Sequence, residues 1–321
     1  MTAFDVASTT DDVLAGRDLS GRRFMVTGVS AGLGLETARA LVAHGANVVG
    51  AVRDRARAEN ATAGVREAAA QGRGSFELVT LDLASLASVR AAADALVSDG
   101  RPFDGVIANA AVMATPFGRT ADGFEMQFGT NHLGHFVLVN RIARLIKRGG
   151  RLVVLSSAAH RFSDVDLVDP NFNDTPYDPW VAYGRAKTAN ALFAVEFDRR
   201  FKDRGIRAAA VHPGGAETEL KRHMTQADMD ALIARINTVA KAETGAPAFK
   251  LKSIPQAAAT SVWVVVVADG DAVGGRYCED CAVAPLAHGD GVRKGVREYA
   301  IDAASAQALW TKSEELVGER F

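Results

Sequence analysis

The sequence predicts a single-domain α/β fold: a doubly wound parallel sheet with helices on both faces. Short β-rich runs alternate with longer Ala/Leu-rich stretches along the chain. A glycine-rich turn joins the first β run to the first helical stretch, the place where such sheets bind anions. No internal repeat, low-complexity tract or long linker divides the 321 residues, a length that one large α/β domain accommodates.

In chain order, residues 1–18 read as an arm in which Ser8-Thr9-Thr10-Asp11-Asp12 can cap one short helix, and residues 19–321 as the domain. Phe24-Met25-Val26 is a buried strand, followed by a helix from Leu33 to Ala43 that ends near Gly45. Asn47–Val52 is the second strand, with an Arg/Glu/Ala helix reaching about Gln71. Phe76–Leu81 is the third strand, and the next helix runs from Ser85, its N-cap, to Val97. Gly105–Ala108 and Arg151–Leu155 are strands separated by a helix over about Phe124–Lys147. A helix around Val181–Arg204, capped by Gly205, leads to the strand Ile206–Val211.

Composition excludes several functions. The chain is 48% hydrophobic and 23% charged with a net charge of −1, so no basic field draws it to nucleic acid or anionic membrane. Its longest strongly apolar run, Val262–Ala268, is too short to span a bilayer. The N-terminus has no basic region followed by an apolar stretch, and two cysteines make no disulfide framework, so a cytoplasmic location is expected.

The chemistry concentrates at a few points. Tyr183 and Lys187 in Tyr183-Gly184-Arg185-Ala186-Lys187 share one helical face, one turn apart. A nearby ammonium favours the phenolate and moves its pKa toward neutrality. In Thr27-Gly28-Val29-Ser30-Ala31-Gly32-Leu33-Gly34 the glycines let the backbone turn tightly and approach a pyrophosphate at the helix N-terminus. After the second strand stand Arg53 and Asp54: a cation there accepts the 2′-phosphate of NADP, an acid the 2′-hydroxyl of NAD. Val52 ends the strand, which makes Arg53 the first side chain able to reach that phosphate. NADP(H) is therefore expected, with NAD the alternative. Asp82, before Leu83, can meet the adenine amino group, and Asn109-Ala110-Ala111 lets a ribose approach the backbone.

These motifs, with Asn131, Ser156-Ser157-Ala158-Ala159-His160 and His212-Pro213-Gly214, occur in the order of a short-chain dehydrogenase/reductase. Ser156–His160, Tyr183–Asn190 and the ending Cys278-Glu279-Asp280-Cys281 … Ala308–Ser313 resemble its retinol-dehydrogenase-like branch. The resemblance covers about Leu19 to the C-terminus. It implies a Rossmann sheet of about seven strands, a nicotinamide cofactor and a small-molecule carbonyl or alcohol substrate. By it, Tyr183 is the general acid or base, Ser157 bonds the substrate oxygen, Lys187 lowers the Tyr183 pKa and bonds the nicotinamide ribose, and Asn131 holds a water in a proton relay. Pro213, Gly214 and Thr218 flank the nicotinamide. Relatives often pair through the helices over Phe124–Lys147 and Val181–Arg204, so a homodimer is expected.

Ser157 and Tyr183 lie 26 residues apart, about twice the family spacing. The intervening segment is loop-like and is expected to wall the substrate pocket, with Phe162, Tyr177 or Trp180 facing an apolar substrate and His160 also lining it. Residues 220–255 supply the opposite lid. Cys278-x-x-Cys281 lacks a second ligand pair and reads as structural, and no zinc set emerges from His132, His135 and His160, so no metal is expected. The sequence reading is an enzyme; a non-catalytic dinucleotide-binding regulator is the alternative.

Overall fold

The computed structural model describes residues 4–221, 234, 250–288 and 294–321. The strands are β1 (Arg23–Thr27), β2 (Asn47–Val52), β3 (Ser75–Thr80), β4 (Phe103–Ala108), β5 (Ile146–Leu155), β6 (Arg207–His212), β7 (Arg276–Glu279) and β8 (Ala282–Val283). They form one sheet in the order β3-β2-β1-β4-β5-β6-β7-β8, all parallel except β7 with β8. The inner strands are buried on both faces, which explains their near-continuous apolar runs. The eighth strand exceeds the expected seven. Asp280 and Cys281 both take positive φ (51° and 55°), a two-residue hairpin turn that folds the chain back antiparallel. The cysteine pair therefore sits in a hairpin, with both thiols buried and that burial raising them to about 12 and about 11.

The helices are α1 (Thr10–Leu14), α2 (Gly32–Ala43), α3 (Arg55–Ala61), α4 (Ala63–Gly72), α5 (Leu86–Asp99), α6 (Met126–Phe128), α7 (Gly134–Ile142), α8 (Pro179–Phe201), α9 (Ile254–Val262), α10 (Gly270–Val273) and α11 (Ala303–Val317). Thr9 and Asp12 cap α1 reciprocally, and Ser85 caps α5. The single helix expected after β2 is two: Thr62 bonds its hydroxyl to the Ala58 carbonyl at 2.7 Å and breaks the run. The helix expected over Phe124–Lys147 is shorter and interrupted. A π-turn over Gly129–Leu133 joins α6 to α7, and Ile146 already pairs with Phe103 in the sheet.

Two cores sandwich the sheet. On one face α1, α2, α4 and α9 close over Phe24, Val26, Leu41 and Val262. On the other, α5, α7, α8 and α11 pack around Phe136, Phe193 and Trp310. Trp310 meets Phe136 edge-on at 5.0 Å and lies 5.9 Å from Phe193, so α11 covers the faces of α7 and α8 where pairing was expected. No helix among the described residues is long and apolar enough to cross a membrane.

Candidate active site

The chemistry-bearing residues meet at the C-terminal ends of β1, β4, β5 and β6, where the strand order reverses between β1 and β4. Open α/β sheets bind ligands in this crevice. The glycine loop is held tightly against β4. A Cβ on Gly34 would stand 2.2 Å from the Gly28 carbonyl and 2.5 Å from Asn109 Nδ2. A Cβ on Gly28, at φ +75°, would lie 2.9 Å from Ala110, and one on Gly32 would meet Thr218 at 3.3 Å. Asn109 donates its side-chain amide to the Thr27 carbonyl at 2.8 Å, and its backbone N–H and that of Ala110 go to the Thr27 hydroxyl. The cradle is one hydrogen-bonded unit.

Around it lie the other cofactor candidates. Ser30, Gly32, Thr218, Ile254 and Arg57 line a cavity of about 770 Å³ beside the N-terminus of α2, onto which Leu33 follows. Arg57 was not foreseen, because periodicity shows only that it is helical. Arg53 is exposed, with no hydrogen bond or ion pair among the described residues, while Asp54 caps α3 by accepting from Arg57 N–H at 3.0 Å. Asp82 takes the Ala84 N–H on one oxygen at 2.9 Å, leaving the other oxygen outward. Leu83 is buried under Gly134, whose missing Cβ would strike the Leu83 carbonyl at 2.5 Å. Ala111, Pro213 and Gly214 are half-buried along the same rim. Lys252, also missed from sequence, crosses Gly214 within 2.9 Å of its would-be Cβ and pairs with Asp280 at 2.7 Å.

The four catalytic candidates surround the crevice floor. Ser157 lies close enough to the Tyr183 hydroxyl to favour its ionised form, and Ser157 Oγ accepts the Ala159 N–H at 3.2 Å. Gly184 makes this approach feasible, since a Cβ there would lie 2.9 Å from the Ala159 carbonyl. Lys187 Nζ sits 5.6 Å from the Tyr183 ring centre and donates to the Leu155 carbonyl at 2.9 Å. Both groups are buried, with consequences the spacing alone did not suggest. Burial raises Tyr183 well above an ordinary phenol, against a smaller lowering by Ser157, and burial brings Lys187 down to about 7. Lys187 is thus poised to change charge near neutrality. Asn131 locks its side chain onto Val112, accepting its N–H at 2.8 Å and donating to its carbonyl at 2.9 Å. These bonds fix the orientation of the Asn131 side chain and leave its backbone carbonyl as the group turned to His135.

The substrate candidates divide. Phe162 meets Trp180 edge-on at 5.8 Å, and Trp180 lies 6.3 Å from Tyr183, so Trp180 flanks the phenol with Phe162 behind it. His160 does not line the pocket. It is buried, with Nδ1 on the Ser157 carbonyl at 2.7 Å and Nε2 accepting the Arg297 N–H at 3.1 Å, and burial lowers it to about 4. Tyr177 is likewise committed elsewhere. Its hydroxyl donates to the Thr115 carbonyl at 2.9 Å and accepts from Gln127 Nε2 at 3.0 Å, which staples two loops together. Residues 220–255, expected as a lid, lie mostly outside the described residues.

Comparison with known proteins agrees with this fold. The short chain dehydrogenase family matches residues 22–229. A Streptomyces lividans protein named "Probable oxidoreductase" is 41% identical over 297 residues, covering 91% of this chain and 96% of that one. Mouse "Retinol dehydrogenase 14" is 36% identical over 316 residues, covering 94% of this chain and 87% of its own. The structure of an uncharacterized Mycobacterium paratuberculosis protein, 32% identical, aligns over 100% of this chain and 99% of that one with a TM-score of 0.70. A Burkholderia cenocepacia short chain dehydrogenase in complex with NADP shares the fold at 23% identity, with a TM-score of 0.64 over 83% of this chain and 99% of its own. The chain belongs to the short-chain dehydrogenase/reductase family and is an NAD(P)-dependent oxidoreductase.

Proposed function

We propose that this protein is an NADP(H)-dependent carbonyl reductase or alcohol dehydrogenase with Tyr183 as its general acid and base. One observation carries the reading: a buried Tyr183 beside Ser157, one helical turn from Lys187, above a glycine cradle no larger residue fits. The cradle and the adjoining cation fit a dinucleotide phosphate. Gly28, Gly32 and Gly34 give the pyrophosphate close access to backbone N–H groups at the start of α2, and Arg53 offers an uncommitted guanidinium to a 2′-phosphate. Asp54, the residue that would favour NAD, is engaged as a helix cap. When bound, the nicotinamide gives or takes the hydride.

In the reducing direction, Ser157 and Tyr183 bond the carbonyl oxygen, and Tyr183 Oη delivers its proton as charge develops there. Lys187, near its pKa, would resupply that proton and would bond the ribose of a bound nicotinamide cofactor, and the Asn131 carbonyl would hold a water beside it. Trp180 beside the phenol, with Phe162 behind it, favours an apolar substrate. Residues 19–321 act as one catalytic domain, and the same reading places the enzyme in the cytoplasm. Homodimer formation through α7 and α8 would require α11 to leave them. A screen of NADPH oxidation over aldehydes, aryl ketones and quinones, repeated with NADH, tests the reading. Turnover of at least one class with a preference for NADPH is expected; binding without turnover of any class points to a regulator, and preference for NADH returns the ribose contact to Asp54.

A further inference from the structure

A chain of hydrogen bonds beneath the site runs through His135, which the mechanism above does not use. The ring is fully buried on α7, four residues after Asn131. The Asn131 carbonyl can only accept, so His135 Nδ1 carries the ring proton and donates it across 3.0 Å. That leaves Nε2 bare. Thr27 Oγ1 accepts the Asn109 N–H at 2.9 Å and the Ala110 N–H at 3.0 Å, which fills its lone pairs. Its own proton therefore goes to His135 Nε2 at 2.9 Å. Both ends fix the same neutral tautomer, and the Asn131 carbonyl has a second lone pair besides the one that meets His135.

One end of this chain is the cofactor cradle, since Thr27 precedes Gly28 and anchors Asn109 and Ala110 against it. The other end is the backbone carbonyl of Asn131, whose side chain is held by two hydrogen bonds to Val112. An apolar side chain at this fully buried position would avoid the cost of burying an imidazole. We propose that His135 is a positioning residue that couples the seat of the dinucleotide to the Asn131 carbonyl, an inference that rests on the functional reading above. It holds the cradle through Nε2 and aims the relay carbonyl through Nδ1.

The two halves can be separated. In His135→Asn the amide nitrogen falls where Nδ1 was, keeping the donor to Asn131 and dropping Thr27. In His135→Gln the amide oxygen falls where Nε2 was, keeping the acceptor for Thr27 and dropping Asn131. Leaving one buried group unpaired predicts about a tenfold change in the matching parameter. His135→Asn is expected to weaken NADPH binding, read by fluorescence titration, with kcat nearly kept. His135→Gln is expected to keep that affinity and lose kcat, and His135→Leu to lose both. Equal losses in the Asn and Gln variants, or a Leu variant like wild type, overturn the coupling. Should the Leu variant fail to melt cooperatively, the Asn–Gln split still decides. Imidazole ¹⁵N NMR of the wild type gives a readout besides activity: a Nδ1-protonated neutral ring is expected, and the Nε2-protonated tautomer overturns the assignment. Tyr183→Phe run alongside separates the failures: normal turnover there fells the functional reading, while NADPH affinity and the NMR signature still test the coupling.

Discussion

The cofactor cradle and the segment between Ser157 and Tyr183 are built on opposite principles. In the cradle, side chains are removed so that backbone can approach backbone: Gly34 against Gly28, Gly28 against Ala110. In the segment, polar side chains turn inward to satisfy backbone that has no strand or helix to pair with. Asp169 accepts N–H groups from Asn173, Asp174 and Thr175 at 2.7–3.0 Å, and the Thr175 hydroxyl at 2.9 Å. Burial opposes its charge, but these bonds prevail and hold it at about 2. Arg185 reaches from α8 to the Asp169 carbonyl and lies over Phe172. A loop-like composition thus conceals a cross-braced wall.

That contrast breaks most sharply at Gly34. Gly34→Ala drives a methyl into the Gly28 carbonyl, and NADPH affinity should fall by at least about 100-fold, of the size expected when a close backbone approach is lost. Calorimetric titration within tenfold of wild type would show that the cradle yields. Asp169→Ala acts on the wall instead. It removes the charged acceptor shared by three backbone N–H groups and should cost about 1.5–3 kcal/mol in denaturant unfolding while NADPH affinity stays unchanged. A parallel loss of affinity would mean that wall and cradle are one mechanical unit.

Both regions rest on buried neutral histidines, so acid should attack them together. Burial lowers His132 and His212 to about 3, and His135 and His160 to about 4. The unfolded chain holds these protons below its ordinary value of 6.5 while the folded one does not, so stability falls as pH drops from 6.5 toward 4. The pH slope of the unfolding free energy in that window should correspond to about four protons taken up; a flat profile contradicts the burial of these rings. The smallest effect expected is at the cradle's rim. Arg53→Ala should weaken NADPH about tenfold, the share of one charge-assisted hydrogen bond, and leave NADH little changed. Equal losses for both cofactors would move the 2′-phosphate contact elsewhere, Arg57 being the next cation in the cavity.

The same contrast decides what the sequence could tell. β2 falls on its expected residues, and β1, β4, β5 and β6 overlap theirs, because parallel strands buried on both faces are apolar throughout. The glycine spacing was legible for the same reason: it marks places where a side chain is forbidden. His160 and Tyr177 were misjudged because nothing local says whether a polar ring faces a cavity or completes a hydrogen-bond network. The π-turn that carries Asn131 has no periodicity of its own, and the Thr62 break looks like continuous helix. Arg57, Lys252 and His135 gain meaning only from neighbours distant in sequence.

The central claim is that Tyr183 moves the proton. Tyr183→Phe keeps the ring against Trp180 and removes only the hydroxyl beside Ser157. With any carbonyl substrate the wild type reduces, single-turnover NADPH oxidation by this variant should be slower by at least about 100-fold, the low end for a general acid, with NADPH affinity intact. A rate within a few-fold of wild type, at unchanged affinity, would contradict the account and take Tyr183 out of the mechanism.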